Sequence, residues 1–440
     1  MEISQTGHFD HRHLKNLFET RVIKSQAVGL DGTRLKVFGR NLDEETNLIS
    51  RKVLASTYRF TPYREKLISR GSDRLPRQIS IPTVRDRLAL RAACNSLSAL
   101  APASRTLPPH RYIKSISDLI RGSTEPLSFL RVDVRDFFPN IDHTLLTEQL
   151  KNIGVERFLL DFMQKALSNP TGFTKQSSPR TVGIPQGLSV SSILSSIYMI
   201  EFDRTQIALG TYHRYVDDIL IVCPSRELKN RYISVHDGLS KLMLTPHAMG
   251  RSGKTEEKRI SDGIDYIGYH LTPLKTSVRD SSYNRMFANL SKVFTFYKYK
   301  RNYNQFIFKL NLRITGCIVD GKRKGWLMFF SQTEDMSQLR FLDDFVKLQI
   351  ARVGVPYDKE PPCRFIKTYY EIRYKGESSN YIPNFDAFSL EQQYELISSI
   401  TGASMEELAS RSIEITDTEF KTIVAREVAD LEQDLLDSFS

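Results

Sequence analysis

The sequence predicts an α+β fold in which short antiparallel strands occupy the middle of the chain and helices flank and close it. Three observations predict it. Residues 211–222 set apolar and β-branched side chains on both sides of Tyr215-Val216-Asp217-Asp218, the pattern of two short strands joined by a tight turn. Residues 128–134 form a second apolar run that ends in an acid, Asp133, and two antiparallel strands would bring that acid to the hairpin. Helical spacing then takes over, through Leu339, Leu342, Phe345, Val346 and Leu348, and again through Phe420, Ile423, Val424, Val428, Leu431 and Leu435, which share one face.

Taken in order, residues 1–50 mix polar and apolar residues around a turn at Gly29-Leu30-Asp31-Gly32 and read as an extension. A helical pattern begins near Leu42 and continues through Ile49, Val53 and Leu54. Basic residues crowd residues 51–91, interspersed with Tyr58, Phe60 and Tyr63, and residues 78–82 read as a strand ahead of a helix that Thr83 caps. Asp142 is placed to cap a helix running through Leu145, Leu146 and Leu150. Residues 190–200 have helical spacing with many serines, which permit close packing, and residues 227–242 form another helix. The segment Gly250-Arg251-Ser252-Gly253-Lys254-Thr255 is not a P-loop, because the first glycine of that motif is missing and no strand precedes it. Residues 265–271 read as a strand or hairpin with a glycine at close approach. Residues 291–303 interleave Phe294, Phe296, Tyr297, Tyr299 and Tyr303 with Lys292, Lys298, Lys300 and Arg301, a mixture that suits base stacking with phosphate contact or, equally, an amphipathic helix with aromatic core residues. Past Pro361-Pro362 the chain is expected to be irregular until its terminal amphipathic helix.

Composition narrows the function. With 440 residues and 40% hydrophobic content the chain can hold two or three subdomains and is not disordered. No apolar run reaches membrane-spanning length and the first residues lack a signal-peptide pattern, so a cytoplasmic location without membrane contact is the default expectation. Cys94, Cys223, Cys317 and Cys363 lie far apart, which suggests neither a zinc site nor a disulfide framework. Charge is divided unevenly: residues 386–440 hold 13 acidic and three basic residues, a net of −10, whereas the preceding 385 carry +21. A body that basic is the electrostatic footprint of a nucleic-acid binder.

The chemistry centres on the acids. Two adjacent ionised carboxylates repel each other and are costly between strands, so the natural stabiliser of Asp217 and Asp218 is a bound divalent cation, although a polar hairpin tip also explains them. Asp133, at the end of a buried strand, calls for the same partner. Between them Gln186 sits after Pro185 and before Gly187, where its backbone is held and its amide can meet a ligand.

These parts in this order resemble the palm of the reverse transcriptases, through Val132-Asp133-x-x-x-Phe137-Phe138, Ile184-Pro185-Gln186-Gly187-x-Ser189, Tyr215-Val216-Asp217-Asp218 and Tyr266-Ile267-Gly268-Tyr269, over roughly residues 51–275. The resemblance implies a right-hand polymerase fold: an extension over 1–50, fingers over 51–127, an antiparallel-sheet palm over 128–275 with a fingers insertion near 150–182, a thumb-like helical region over 276–372 and an acidic helical tail over 373–440. It implies two Mg²⁺ ions held by Asp133, Asp217 and Asp218, with Val134 in the metal-binding set and Asp218 in the supporting role. Phosphoryl transfer needs charge neutralisation and alignment more than covalent chemistry, so such a site suffices. Lys254 would protonate pyrophosphate, with Lys258 as its competitor for that role. Phe138 would block a ribose 2′-hydroxyl and so select dNTPs; Gln186, Arg77 and Arg85 would lie near the incoming nucleotide. Tyr266, Ile267, Gly268 and Tyr269 would grip the primer end, and Lys298, Lys300 and Arg301 would touch nucleic acid.

Residues 79–88 and the C-terminal region look most like bacterial defence-associated enzymes of the abortive-infection and unknown-group kinds, which implies anti-phage action with a dedicated non-coding RNA template and a DNA product. The tail is expected to mediate self-association or to bind a second protein. Untemplated or protein-primed DNA synthesis, an RNA-dependent RNA polymerase and an inactive RNA-binding scaffold are the alternatives.

Overall fold

The computed structural model describes residues 3–69, 75–104, 107–172, 180–250, 254–355 and 361–437. Contacts divide the chain into two units, Met1–Leu107 with Pro126–Lys258, and Pro108–Glu125 with Arg259–Ser440. The mix of helices with small antiparallel sheets is the α+β class that the sequence predicts. No described helix is long and apolar enough to cross a membrane.

The first unit opens with helices His11–Thr20, Leu35–Arg40 and Leu42–Leu54. Their apolar faces need a surface to cover, and they find it: Phe9, Leu14, Phe18, Ile49 and Val53 share one core cluster with Val132, Ile219, Ile221 and Leu239. The described part of the stretch expected as an extension thus packs into the core of this unit. Strands β1 (Arg64–Ile68) and β2 (Arg77–Ile81) pair antiparallel, and the helix Val84–Leu100 follows, capped by Thr83, whose hydroxyl accepts from the Asp86 amide at 3.1 Å.

β3 (Leu127–Asp133) is buried from Ser128 onward, which explains its near-continuous apolar run. Asp142 then caps the helix His143–Asn152 by accepting from the amides of Thr144 and Leu145 at 2.8 and 2.9 Å. Further helices, Arg157–Ser168, Ser191–Tyr198 and Ile200–Ala208, lead to β4 (Tyr212–Tyr215) and β5 (Asp218–Pro224); the helix Leu228–Lys241 and β6 (Glu256–Arg259) complete the unit's main sheet. The buried serines Ser191, Ser195 and Ser196 let the helix Ser191–Tyr198 pack closely. The sheet order is β4-β5-β3-β6, with β3 and β5 antiparallel from Leu127 opposite Pro224 to Asp133 opposite Asp218.

In the second unit the helix Pro109–Gly122, expected within the fingers, buries Ile113, Ile116 and Ile120 and joins Ser117 to Thr276 by a hydroxyl hydrogen bond of 2.7 Å. Strands β7 (Ile264–Tyr266), β8 (Tyr269–Leu271) and β9 (Thr276–Val278) form an antiparallel sheet in that order. Helices Asp280–Lys300 and Tyr303–Thr315 follow, then the hairpin of β10 (Cys317–Val319) and β11 (Lys322–Lys324), and the helix Met336–Val353. The stretch past Pro361-Pro362 is not irregular throughout: Phe365–Tyr370 is helical and continues into a π-helical turn, Glu371–Lys375, because Phe365, Thr368, Tyr369 and Ile372 bury one face.

The acidic tail ends in the helix Ile413–Asp437, whose Phe420, Ile423, Val424, Val428 and Leu431 are buried against a cluster that includes Leu312, Cys317, Phe385, Leu396 and Ile397. Its acids meet basic partners in the same unit: Glu427 takes Lys309 at 2.5 Å, Asp434 accepts from Arg313 at 3.1 Å, and Glu432 pairs with Lys324. The apolar face of the tail is thus covered within the chain.

Candidate active site

The antiparallel register of β3 and β5 sets Asp133 directly opposite Asp218, and the two-residue turn Val216-Asp217 between β4 and β5 carries the third acid to the same end of the sheet. Val216 has φ +61°, a left-handed conformation that strains a β-branched residue by about 1–3 kcal/mol. Two hydrogen bonds hold it there. Arg214 Nη1 donates to the Val216 carbonyl at 2.9 Å, and the Val134 amide donates to the Asp217 carbonyl at 3.2 Å. Arg214 is itself fixed, because its guanidinium grips both carboxylate oxygens of Asp203, one of which also accepts from the Tyr212 hydroxyl at 2.6 Å.

Each carboxylate has a different environment. Asp218 is held by Arg131, which donates from Nε and Nη2 to its two oxygens at 2.9 and 2.8 Å. Burial raises the Asp218 carboxyl, and the Arg131 charge opposes that rise. Asp133 meets Lys254 Nζ at 2.5 Å and has His247 Nε2 at 3.4 Å, while its carbonyl accepts from the His247 amide at 2.9 Å. Asp217 is pushed up to about 6, by burial first and then by the negative charge of Asp133.

Asp133, buried, and Asp217, half-buried, therefore form a pair whose repulsion any nearby cation relieves, and Lys254 supplies one such charge. Their donors are hard oxygens of the kind that suits Mg²⁺, so the residues fit a divalent ion at this pair. Among the described residues no three His, Cys, Asp or Glu side chains gather as a ready metal cluster, and Asp218 is turned onto Arg131. Lys258, the competitor of Lys254, lies 3.4 Å from Glu256 instead.

The loop over residues 183–187 is laced to the elements on both sides of it. The Ile184 amide donates to the Phe138 carbonyl and the Gly183 amide to that of Ile141, both at 2.8 Å, and the Gln186 carbonyl accepts from the Ser80 amide at 2.7 Å. Gly187 has φ +105°, and a Cβ there would stand 2.7 Å from Ile79 Cγ2 and 2.8 Å from the Ser80 carbonyl oxygen, so only glycine fits. Arg77 donates to Gln186 Oε1, and Phe138 is half-buried with its ring 5.5 Å from that of Phe137. Arg77, Phe138 and Gln186 are thus brought into one neighbourhood.

Arg85 is not part of it. Both arms of its guanidinium bind Glu45, at 2.5 and 2.6 Å, and that ion pair ties the helix Val84–Leu100 to Leu42–Leu54.

The other expected residues belong to the second unit. Tyr266 and Tyr269 face each other across a two-residue turn in which Ile267 and Gly268 have φ +47° and +77°, the geometry of a tight hairpin. Both tyrosine rings are fully buried, and the Tyr269 hydroxyl donates to the Phe329 carbonyl at 2.6 Å. Lys298 and Lys300 are exposed at the end of Asp280–Lys300, whereas Arg301 donates to the Val353 carbonyl at 3.0 Å. Phe294 and Tyr297 pack on Phe306 in the core, which decides for the amphipathic-helix reading of those two rings.

Arg70 and Arg74 of the basic run, residues 173–179 of the expected insertion and Arg251, Ser252 and Gly253 lie outside the described residues. Sequence reasoning missed Arg131, Arg214 and His247. Arg131 did carry a signal: an arginine two residues before Asp133 on an apolar strand shares that acid's face of the sheet.

Residues 71–271 match the family model described as "Reverse transcriptase (RNA-dependent DNA polymerase)". Protein YkfC of Escherichia coli K12 is 22% identical over 296 residues, which cover 55% of this chain and 75% of that protein. The group II intron-encoded protein LtrA of Lactococcus lactis subsp. cremoris is 25% identical over 213 residues, 46% of this chain and 34% of LtrA, so the match spans about a third of that relative. Among solved structures, telomerase from Candida albicans, in complex with a fragment of telomeric RNA, aligns with a TM-score of 0.45 at 14% identity, covering 91% of this chain and 68% of that one. Apo telomerase from Candida tropicalis aligns with a TM-score of 0.38 at 15% identity, over 50% of this chain and 55% of that one. The matched span encloses Asp133, Gln186, Asp217, Asp218 and Lys254, and over it, a little under half of its length, the chain is similar to the reverse transcriptases.

Proposed function

We propose that this chain is an RNA-directed DNA polymerase that extends a primer with dNTPs by metal-assisted phosphoryl transfer. The observation that carries the reading is the meeting of Asp133 with the Asp217 turn across the β3–β5 register, inside a span that matches the reverse transcriptases. Two Mg²⁺ ions bound at Asp133 and Asp217, with Val134 beside them, would neutralise phosphate charge and make the primer hydroxyl a better nucleophile. Arg131 keeps Asp218 oriented and adds positive charge beneath the pair. Lys254 carries a proton at Nζ next to Asp133, in the place from which a leaving pyrophosphate would be protonated. Gln186, braced by Arg77 and by the β2 backbone, positions the nucleotide, and the half-exposed Phe138 ring excludes a ribose 2′-hydroxyl. In this reading the Tyr266–Tyr269 turn contacts the primer end, and Lys298 and Lys300 contact the nucleic-acid backbone.

The finer reading is that the template is a dedicated non-coding RNA and the setting anti-phage defence. It is supported by the likeness of residues 79–88 and the C-terminal region to defence-associated enzymes.

The test is incorporation of each labelled dNTP or rNTP by purified protein with Mg²⁺ and its co-purifying RNA, before and after ribonuclease, beside an Asp133→Ala/Asp217→Ala variant. Incorporation of dNTPs that needs both acids and is lost with the RNA is the expected result. Incorporation that persists after ribonuclease, or that survives loss of both acids, would overturn the reading.

A further inference from the structure

The second unit contains a cleft of about 1180 Å³ that the proposed polymerase chemistry does not use. Three elements line it with cations: Arg111 beside His110 at the start of the helix Pro109–Gly122, Lys322, Arg323 and Lys324 along β11, and Arg373 on the π-helical turn. We propose that this cleft holds the phosphodiester backbone of an RNA strand, as a nucleic-acid contact made entirely within the second unit.

Three observations carry it. The first is an imbalance of charge. The acids of the cleft are already engaged: Asp386 accepts from the amides of Asp320 and Gly321, each at 2.8 Å, and Glu432 pairs with Lys324. Arg111 and Arg323 are exposed and, among the described residues, have no carboxylate within ion-pair distance. Their field reaches His110, whose imidazole is lowered by burial and then by the charges of Arg111 and Arg323. A cleft lined by five arginines and lysines against two carboxylates carries a surplus of positive charge and is a site for a polyanion.

The second observation is the opening of Pro109–Gly122 at the cleft without a side-chain cap, which adds the partial positive charge of a helix start to the same space. The third is size and lining. The volume exceeds the roughly 300–1,000 Å³ usual for small-ligand pockets, which favours an extended ligand over a mononucleotide. The aromatic side chain at the cleft, Phe329, already stacks on Tyr269 with its ring centre 6.3 Å away, so recognition falls to phosphates and not to base stacking. The inference rests on the proposed polymerase function only for the identity of the strand as RNA.

The experiment is fluorescence anisotropy of a labelled single-stranded RNA on the full chain across a potassium chloride series, for wild type, Arg111→Ala/Arg323→Ala and Arg111→Lys/Arg323→Lys. Loss of two phosphate contacts should reduce the slope of log affinity against log salt by about 1.4, at roughly 0.7 per phosphate for a single strand, and the lysine variant should retain the wild-type slope. An unchanged slope in the alanine variant would overturn the proposal, as would displacement of the RNA from this variant-sensitive site by AMP at equal phosphate concentration. Incorporation of dNTPs is read on the same preparations. A polymerase with an unchanged slope sinks the cleft alone, and a slope that falls in a protein without incorporation supports the cleft while sinking the polymerase reading.

Discussion

Arg131 bears a charge within the apolar run of β3, and its side chain is about one-tenth exposed. The fork it makes with Asp218 has a clear consequence for mutation. Arg131→Ala should destabilise the protein by about 3–5 kcal/mol, because it removes the charge-assisted fork that offsets the desolvation of the Asp218 carboxylate. Arg131→Met with Asp218→Asn should recover most of that loss, since removing both charges removes the desolvation cost as well. Urea unfolding of the two variants is the measurement, and a double variant no more stable than the single one would refute the account. Asp133 and Asp217 were legible in the sequence because acids at strand ends break the local pattern and need an external reason. The Arg131–Asp218 pair was not, since naming it requires the β3–β5 register. Arg77 and Arg85 make the same point: both are arginines beside one strand, and only Glu45, forty residues upstream, separates their roles.

At the scale of elements, the loop over residues 183–187 behaves as a strap whose position depends on one backbone conformation. Gly187→Ala adds a Cβ that collides with β2 and puts alanine at a strongly positive φ, so it should cost about 1–3 kcal/mol and push Gln186 out of place. The expected kinetic signature is a dNTP KM raised about ten-fold or more, which corresponds to about 1.4 kcal/mol of lost binding. Steady-state kinetics at saturating primer-template would show it; an unchanged KM would detach the strap from nucleotide binding.

Helices with a capping residue, those begun by Thr83 and Asp142, were legible because a cap is local chemistry. The helix after Pro361-Pro362 escaped detection although Phe365, Thr368, Tyr369 and Ile372 have helical spacing. It is short, and two of its buried positions are the polar-tipped Thr368 and Tyr369.

Across the whole molecule, the division into a basic body and an acidic tail was legible from composition, but the tail's destination was not. Any basic surface of this chain, or of another, could have received those acids; which one did depends on the apolar face that Ile413–Asp437 lays on Leu312, Cys317 and Phe385. Deletion of residues 413–440 should therefore expose that cluster and leave the second unit poorly folded. Size-exclusion chromatography and a thermal melt should show aggregation and a lost or lowered transition, and a truncated chain that melts like the wild type would refute the assignment. The two units also cut across the order of the sequence, since residues 108–125 group with residues 259–440, which boundaries drawn along the chain do not express.

That interleaving has a bearing on how the protein is made. Ser117 and Arg121 belong to a helix whose partners, Thr276 and Glu334, lie 159 and 213 residues further on. At ribosomal speeds of about 5–20 residues per second, Thr276 is added roughly 8–32 s after Ser117. Through that interval the stripe of Ile113, Ile116 and Ile120 lies on a helix whose partners Thr276 and Glu334 are still unmade. The yield of folded protein in a cell is then governed by how well that stripe is shielded during synthesis, as much as by the stability of the finished molecule.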